Sequence, residues 1–557
     1  MAPAKPTGKS FLCHFFELFE ILTFVSSTTS TLSPAKWLLD VEIVSPTYVG
    51  TASMTSLNYM LPAFTTGLEA LQKSFPQLNI THTFLTDPNA NDCNSHVATI
   101  TDVLAHWYYR ERRETAIPVI MATSTYSGVV SVKRKTSPLS CYTESTTYPL
   151  ASAWKVLWLN SIGPDDAQRK RLLPQTWICT SPIVANFGEL YLKILRHYNW
   201  TNLNIISDPR ASGKYPVAAT VTAKRLISEG FSVTVRNMPN LQRDMNELLS
   251  LVKTTSRVVI VFGDAFALRR LLIAASINGM TTQEYVYIAT RIFIHKLYGS
   301  FTWKLQGRPP DEDIIMRLAF QSVLLVDYFY QDDETAAKVD RIAVKWNEIS
   351  VKTNSTGGDD LPTPYLVATH ASFSLLGKIL ERINNDSSCI NDPNRNSCHA
   401  ELPASWFFDK KFHLDTGITT INSMGSQLTT TSMSYFNNGT GQHEAFLVAS
   451  ETMDASFRLE FPKSIRWYGG GSLPPNEPLC GYRGFACHPT TGIPLQTVVI
   501  SAAAGCIAVC LFIVVAWIRI LVPRLEQVWQ PLDWKEISYA SKANATPRNS
   551  HNSFYVF

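Results

Sequence analysis

The sequence predicts a parallel α/β body followed by one membrane-spanning helix. Two observations carry this: short β-branched runs alternate with amphipathic helical patterns, and a stretch of 22 residues near the C-terminus has no charge. Residues 41–46 (VEIVSP) read as a buried strand, 60–72 as a helix, 82–85 as a second strand and 96–109 as a second helix. Further strands fall at 118–121, 154–159, 203–207, 231–235, 258–262 and 285–289, with helical stretches between most of them. Such alternation makes a parallel sheet, because each helix carries the chain back to start a strand in the same direction.

Two of the helices carry clear local signals. In one, Leu190, Tyr191, Ile194, Leu195 and Tyr198 form an apolar face, with Lys193, Arg196 and a solvated His197 opposite. The other follows the strand VVIVF: Asp264 is its N-cap, Leu268, Leu271 and Leu272 its buried face, and Gly279 its left-handed stop.

The uncharged stretch is 497–518 (TVVISAAAGCIAVCLFIVVAWI), long enough at about 1.5 Å per residue to cross a bilayer core. Trp517, Arg519 and Arg524 supply an interfacial anchor, and Lys535, Lys542 and Arg548 add to a tail whose positive excess predicts a cytoplasmic location for 519–557. Everything before residue 497 is then expected outside the cell, at the plasma membrane. Residues 1–27 read as a signal peptide, with Lys5 and Lys9 ahead of an apolar stretch that His14, Glu17 and Glu20 interrupt. Sequons at Asn79, Asn199, Asn354, Asn385 and Asn438 agree with export.

Seven cysteines lie outside the signal and the span. Spacing pairs Cys389 with Cys398 and Cys480 with Cys487, two short rings compatible with disulfide geometry. Zinc is the rival reading, but no C-x2-C pair repeats, so no metal site is predicted.

Composition narrows the function classes. With 557 residues, 45% of them hydrophobic, the chain can fill several folded units. The net charge of +4 is spread thinly, which argues against a nucleic-acid partner. Catalytic patterns fail: Ser212-Gly213-Lys214 lacks the rest of a phosphate loop and reads as a turn, and Pro474 stands where a nucleophile elbow after Ser472 needs glycine. The run Asp311-Glu312-Asp313 reads as solvated charge in a proline-rich loop, and no cofactor is called for.

Several segments carry a resemblance. Residues 141–163 (CYTESTTYPLASAWKVLWLNSIG) and 177–208, with Phe187-Gly188-Glu189 opening a helix that ends in Tyr198-Asn199-Trp200-Thr201, resemble the ectodomain of receptor guanylate cyclases and natriuretic peptide receptors. Residues 411–427 and 435–449 are similar to that family's closing strands, and 465–487 to its juxtamembrane block. The stretch 528–537 (VWQPLDWKEI) resembles the lead-in to its kinase-like domain.

The resemblance implies a type I periplasmic-binding-protein fold, two α/β lobes joined by several hinge crossings, with the second lobe starting near Phe187. Its domains are then a two-lobed ligand-binding region at 36–464, a disulfide-bonded juxtamembrane segment at 465–496 and the span. It also implies that Cys93 pairs with Cys141, leaving Cys179 as the odd thiol. Ser140 stands where the family usually has glycine, which speaks against a family-type chloride site.

Only 39 residues follow the span, so no cyclase is expected on this chain. The expected function is that of a receptor for an extracellular peptide or small molecule, acting as a clearance or decoy receptor or with a partner. The alternatives are a truncated form of a full receptor guanylate cyclase and a transporter's solute-binding protein. A homodimer, or a heterodimer with a related receptor, is expected, and Ser501 and Gly505 would permit close helix approach. Cleft contacts are predicted where parallel strands end, at Ser45, Ser124, Thr180, Asp208, Gly263, Asp264 and Thr290.

Overall fold

The computed structural model describes residues 39–49, 56–90, 93–122, 144–161, 176–181, 183–210, 212–294, 298–328, 332–355, 363–385, 402–468, 470–482 and 495–525. The chain divides into two compact units, Met1–Gly484 and Phe485–Phe557.

In the first unit, β1 (Leu39–Pro46) leads through α1 (Leu57–Ser74) to β2 (Leu78–Leu85), which lies parallel to it. The chain then runs through α2 (Cys93–His106), extended by a π-helical turn at Trp107–Glu111, to β3 (Ile117–Ala122), α3 (Glu144–Ala153), β4 (Leu157–Asn160) and β5 (Trp177–Cys179). The resulting sheet is parallel in the order β2-β1-β3-β4-β5. Its inner strands β3 and β4 are buried almost throughout, as helices covering both sides require.

The second lobe alternates α4 (Phe187–His197), β6 (Asn202–Ser207), α5 (Lys214–Ser228), β7 (Ser232–Asn237), α6 (Gln242–Lys253), β8 (Val258–Phe262), α7 (Ala265–Ile277), β9 (Val286–Arg291), α8 (Pro310–Ala319) and β10 (Val323–Asp327). The chain then returns to the first lobe, where α9 (Asp333–Thr353) and α10 (Pro364–Asn385) pack on α1 beside the hairpin β11 (Lys410–Leu414) and β12 (Gly417–Ile421). A third crossing reaches β13 (Thr430–Asn437), β14 (Gln442–Glu451) and β15 (Phe457–Glu460), which extend the second sheet antiparallel from β10. This is the two-lobed architecture that the resemblance implies, with Phe187 opening the first helix of the second lobe.

The three crossings are stitched together. The Tyr328 hydroxyl donates to the Ile183 carbonyl, while Glu451 Oε2 accepts from Asn186 Nδ2 at 2.9 Å and from the Thr429 amide at 3.0 Å. Just before the third crossing, the Cys179 amide donates to the Gly425 carbonyl at 2.8 Å. Gly425 has φ +72°, and a Cβ there would lie 2.5 Å from the Trp177 carbonyl oxygen. Since backbone, not a flexible side-chain end, stands in the way, Gly425→Ala is expected to cost about 2 kcal/mol or more. A urea midpoint unchanged from wild type would contradict this account.

Two readings of the sequence need correction. The strand predicted to begin at residue 154 starts at Leu157, because Trp154 and Lys155 form a turn in which Lys155 takes φ +56°. The acidic run is not a solvated loop: Asp311, Glu312 and Asp313 form the first turn of α8, where carboxylates complement the helix dipole, and Glu312 and Asp313 grip the buried Arg269 of α7.

In the second unit, α11 (Leu495–Leu525) contains the 22-residue apolar segment Val499–Ile520, exposed along nearly its whole length. By length and composition it can cross a membrane.

Candidate functional site

In an open parallel sheet, a crevice forms beyond the strand C-termini where the winding direction reverses. In the first lobe that point lies between β1 and β3, next to Ser45; Ser124, predicted on its other side, lies outside the described residues. In the second lobe it lies between β6 and β8, at Asp208, Gly263 and Asp264.

The second-lobe point is strongly polar. Asp208 is buried, and its carboxylate accepts from Arg210 Nε and Nη2, both at 2.7 Å, and from Arg270 Nη2 at 3.1 Å. Asp264 caps α7 by accepting from the Ala267 amide at 2.6 Å. Burial and then the neighbouring Asp208 charge push its carboxyl above the ordinary range, against the Ala267 bond and the Arg270 and Arg210 charges. Gly263 is where the two turns meet: a Cβ there would lie 3.2 Å from Ala267 Cβ and 3.5 Å from Asp208 Cβ. Both arginines stay part-exposed, so this edge presents guanidinium groups suited to an anionic group on a ligand.

Beside it, side chains from both lobes meet. Lys214, the first residue of α5, donates from Nζ to the Tyr365 hydroxyl of α10 at 2.9 Å, and both side chains are buried. Phe293 lies 6.3 Å from the Tyr365 ring, stacks on Tyr298 and meets Tyr215 edge-on. Lys214 closes the Ser212-Gly213-Lys214 stretch read as a turn, and no local pattern pairs it with Tyr365, which is 151 residues away.

The remaining predicted contacts are enclosed. Ser45 Oγ bonds His82 Nε2 at 2.9 Å, Thr180 Oγ1 donates to the Ala368 carbonyl at 2.8 Å, and Thr290 Oγ1 bonds the Tyr191 hydroxyl at 2.5 Å. The structure therefore brings together Asp208, Gly263 and Asp264, and leaves Ser45, Thr180 and Thr290 inside the packing. Cys179 is a buried thiol at the end of β5 that bonds the Ser181 carbonyl, and Cys480 is disulfide-bonded. Cys141, Cys389, Cys398 and Cys487 lie outside the described residues, as does the side chain of Cys93.

Asn199, Asn354 and Asn438 are exposed, whereas Asn79 sits within β2 and donates to Asp40 at 2.8 Å. The side chain of Asn385 lies outside the described residues.

A further surface is covered by the chain itself. Residues 465–468 and 470–482 strap the N-terminal ends of β6, β8 and β9. Trp467 Nε1 donates to the Gln283 carbonyl at 3.1 Å, and Trp200 Nε1 donates to the Pro474 carbonyl at 2.8 Å. Asn476 Oδ1 accepts from the Thr201 and Asn202 amides at 2.6 and 2.9 Å, and its Nδ2 donates to Thr201 Oγ1 at 3.0 Å. Arg257 lies between the rings of Tyr285 and Tyr482.

Comparison with known proteins agrees with this architecture. Residues 137–426, just over half of the chain, match the family described as "Receptor family ligand binding region". Among curated proteins, the chain is similar to atrial natriuretic peptide receptor 3 of Rattus norvegicus, with 24% identity over 148 residues, covering 26% of this chain and 27% of that protein. The Bos taurus receptor is 23% identical over 145 residues, covering 26% of each chain. The Homo sapiens receptor is 22% identical over 148 residues, covering 26% of this chain and 27% of that one. The aligned part spans about a quarter of the length of these relatives. With two lobes, three crossings and this match, the chain belongs to the receptor family that shares this ligand-binding region, the family of natriuretic peptide receptors and receptor guanylate cyclases.

Proposed function

We propose that this chain is a single-pass receptor of the plasma membrane, with its two-lobed body outside the cell, and that it binds an extracellular peptide. It acts as a clearance or decoy receptor, or together with a related subunit, as a homodimer or heterodimer. The observation that carries this reading is the match of residues 137–426 to a receptor ligand-binding region, followed in sequence by a helix able to span a bilayer. Two features favour a peptide over a small cleft ligand: the similar proteins are named as natriuretic peptide receptors, and the chain's own side chains occupy the space between the lobes around Lys214 and Tyr365. The excess of Lys and Arg after the span supports the orientation.

Cells displaying the full chain are expected to bind labelled atrial natriuretic peptide saturably, with unlabelled peptide competing. Surface display without binding above untransfected cells would reject the peptide reading.

A second reading, that the sequence is part of a longer receptor guanylate cyclase, is favoured by the likeness of 528–537 to the lead-in of a kinase-like domain. Long-read sequencing of the transcript through the codons for 534–557 separates the two. An open frame into cyclase exons supports the second, and a stop after Phe557 the first.

A further inference from the structure

The hairpin loop between β13 and β14 presents an exposed sequon, Asn438-Gly439-Thr440, in a fixed shape. Asn437 makes that shape: its Oδ1 accepts from the Gly439 amide at 2.9 Å and the Thr440 amide at 3.4 Å, and its carbonyl accepts from the Gly441 amide at 2.7 Å. Trp303 Nε1 donates to the Gly441 carbonyl at 3.1 Å and ties the loop to the segment before α8. None of these bonds uses the Asn438 side chain.

Arg317 of α8 engages it. Its Nη2 donates to the Asn438 carbonyl at 2.7 Å, which already fastens the loop, and its Nε donates at 3.1 Å to the Asn438 amide oxygen, Oδ1. The guanidinium carbon lies 5.3 Å from the centre of the Trp303 ring, so the arginine is itself held from behind. Among the described sequon asparagines, Asn438 is the one whose amide oxygen is bonded, whereas Asn79 spends its Nδ2 on Asp40. Nδ2 of the exposed Asn438 bonds no described residue.

A substituted amide is planar and trans, which puts the new substituent on the same side of the C–N bond as the oxygen. A sugar on Nδ2 therefore starts beside Oδ1, against the donor that Oδ1 already has. Arg317 Nη1, which bonds no described residue, remains a further donor for sugar oxygens.

We propose that Asn438 carries an N-linked oligosaccharide and that Arg317, backed by Trp303, holds its first N-acetylhexosamine, fixing the glycan where the loop meets α8. The transfer forms the bond from Nδ2 to the sugar's C1 and breaks the C1–O bond of a lipid-diphosphate oligosaccharide. The lipid diphosphate leaves with the electron pair, and one amide proton is released. The inference rests on the reading that places the two-lobed body outside the cell.

The test uses the full chain, purified in detergent from glycosylating cells, with glycopeptide mass spectrometry for occupancy and hydrogen exchange at 437–442 for the contact. Asn438 is expected to carry the glycan. Thr440→Val keeps the shape of threonine and abolishes the sequon, and the rise in exchange it causes is expected to be about fivefold larger with Arg317 present than in Arg317→Ala, the scale of one hydrogen bond. The bond from the Gln442 amide to Thr440 Oγ1 is lost in both backgrounds and cancels.

Equal rises in the two backgrounds would show that Arg317 only braces the loop and would overturn the proposal, as would a bare Asn438 on a chain glycosylated at Asn199 or Asn354. A chain with no glycan at any sequon rejects the extracellular placement, and the proposal with it. If Arg317→Ala fails to fold, Arg317→Met, which keeps the stem and lacks the donors, takes its place with the same outcomes.

Discussion

Arg269→Ala is expected to destabilise the second lobe by about 3–5 kcal/mol, because it strands two carboxylates in a largely buried site. The Arg269 side chain is 9% exposed, Glu312 22% and Asp313 13%. Arg269 Nη2 donates to Asp313 Oδ1 at 2.8 Å, Nη1 donates to the Trp303 carbonyl at 2.9 Å, and Nε bonds Glu312. One guanidinium thus ties α7, the segment before α8 and the first turn of α8, and a lysine could not reproduce that fork. Urea unfolding of the full chain in detergent, followed by tryptophan fluorescence, measures the loss. A loss under about 1 kcal/mol would mean that water reaches the site and the pair contributes little.

Acidification is expected to weaken the fold steeply between pH 6.5 and 4. Burial lowers His82 to about 3 and His96 to about 4, and burial with the Arg291 charge lowers His443 to about 4, each from an ordinary 6.5. His82 packs among Phe64, Phe84 and Phe373, and among the described residues neither ring nitrogen of His96 has a hydrogen-bond partner.

In this window the unfolded chain binds the protons that the folded chain refuses. Stability is therefore full above 6.5, falls as pH drops, and levels off below the folded values. Each histidine contributes at most about 1.4 kcal/mol per pH unit, so the three together reach about 4 kcal/mol per unit near pH 5. Urea midpoints at pH 7 and pH 5 test this, and His96→Gln should flatten the slope by about a third. Equal midpoints at the two pH values would refute it.

The sequence made the parallel strands of the second lobe readable, because VVIVF at 258–262 is apolar throughout and capped by Asp264, so local pattern and burial agree. The long helices α9 and α10 had no predicted counterpart, and nothing local says that they cross back to pack on α1. At the candidate site, Asp208, Gly263 and Asp264 were found because strand ends can be read from sequence. The Lys214 and Tyr365 pairing was not, because it depends on a lobe crossing that no periodicity records. The acidic run at 311–313 was misread for the same reason: its partner, Arg269, lies more than 40 residues earlier.

The strap at 465–482 sets an order of events during synthesis. Thr201, the third residue of the sequon Asn199-Trp200-Thr201, has its hydroxyl and amide bonded to Asn476, and Trp200 lies buried beneath Pro474. Once that segment docks, the tripeptide can no longer present itself to a modifying enzyme. Asn476 is made 275 residues after Thr201, a delay of about 15–55 s at ordinary translation speed. That delay is the least time for which the tripeptide stays uncovered, so any sugar on Asn199 would have to be attached before the strap docks.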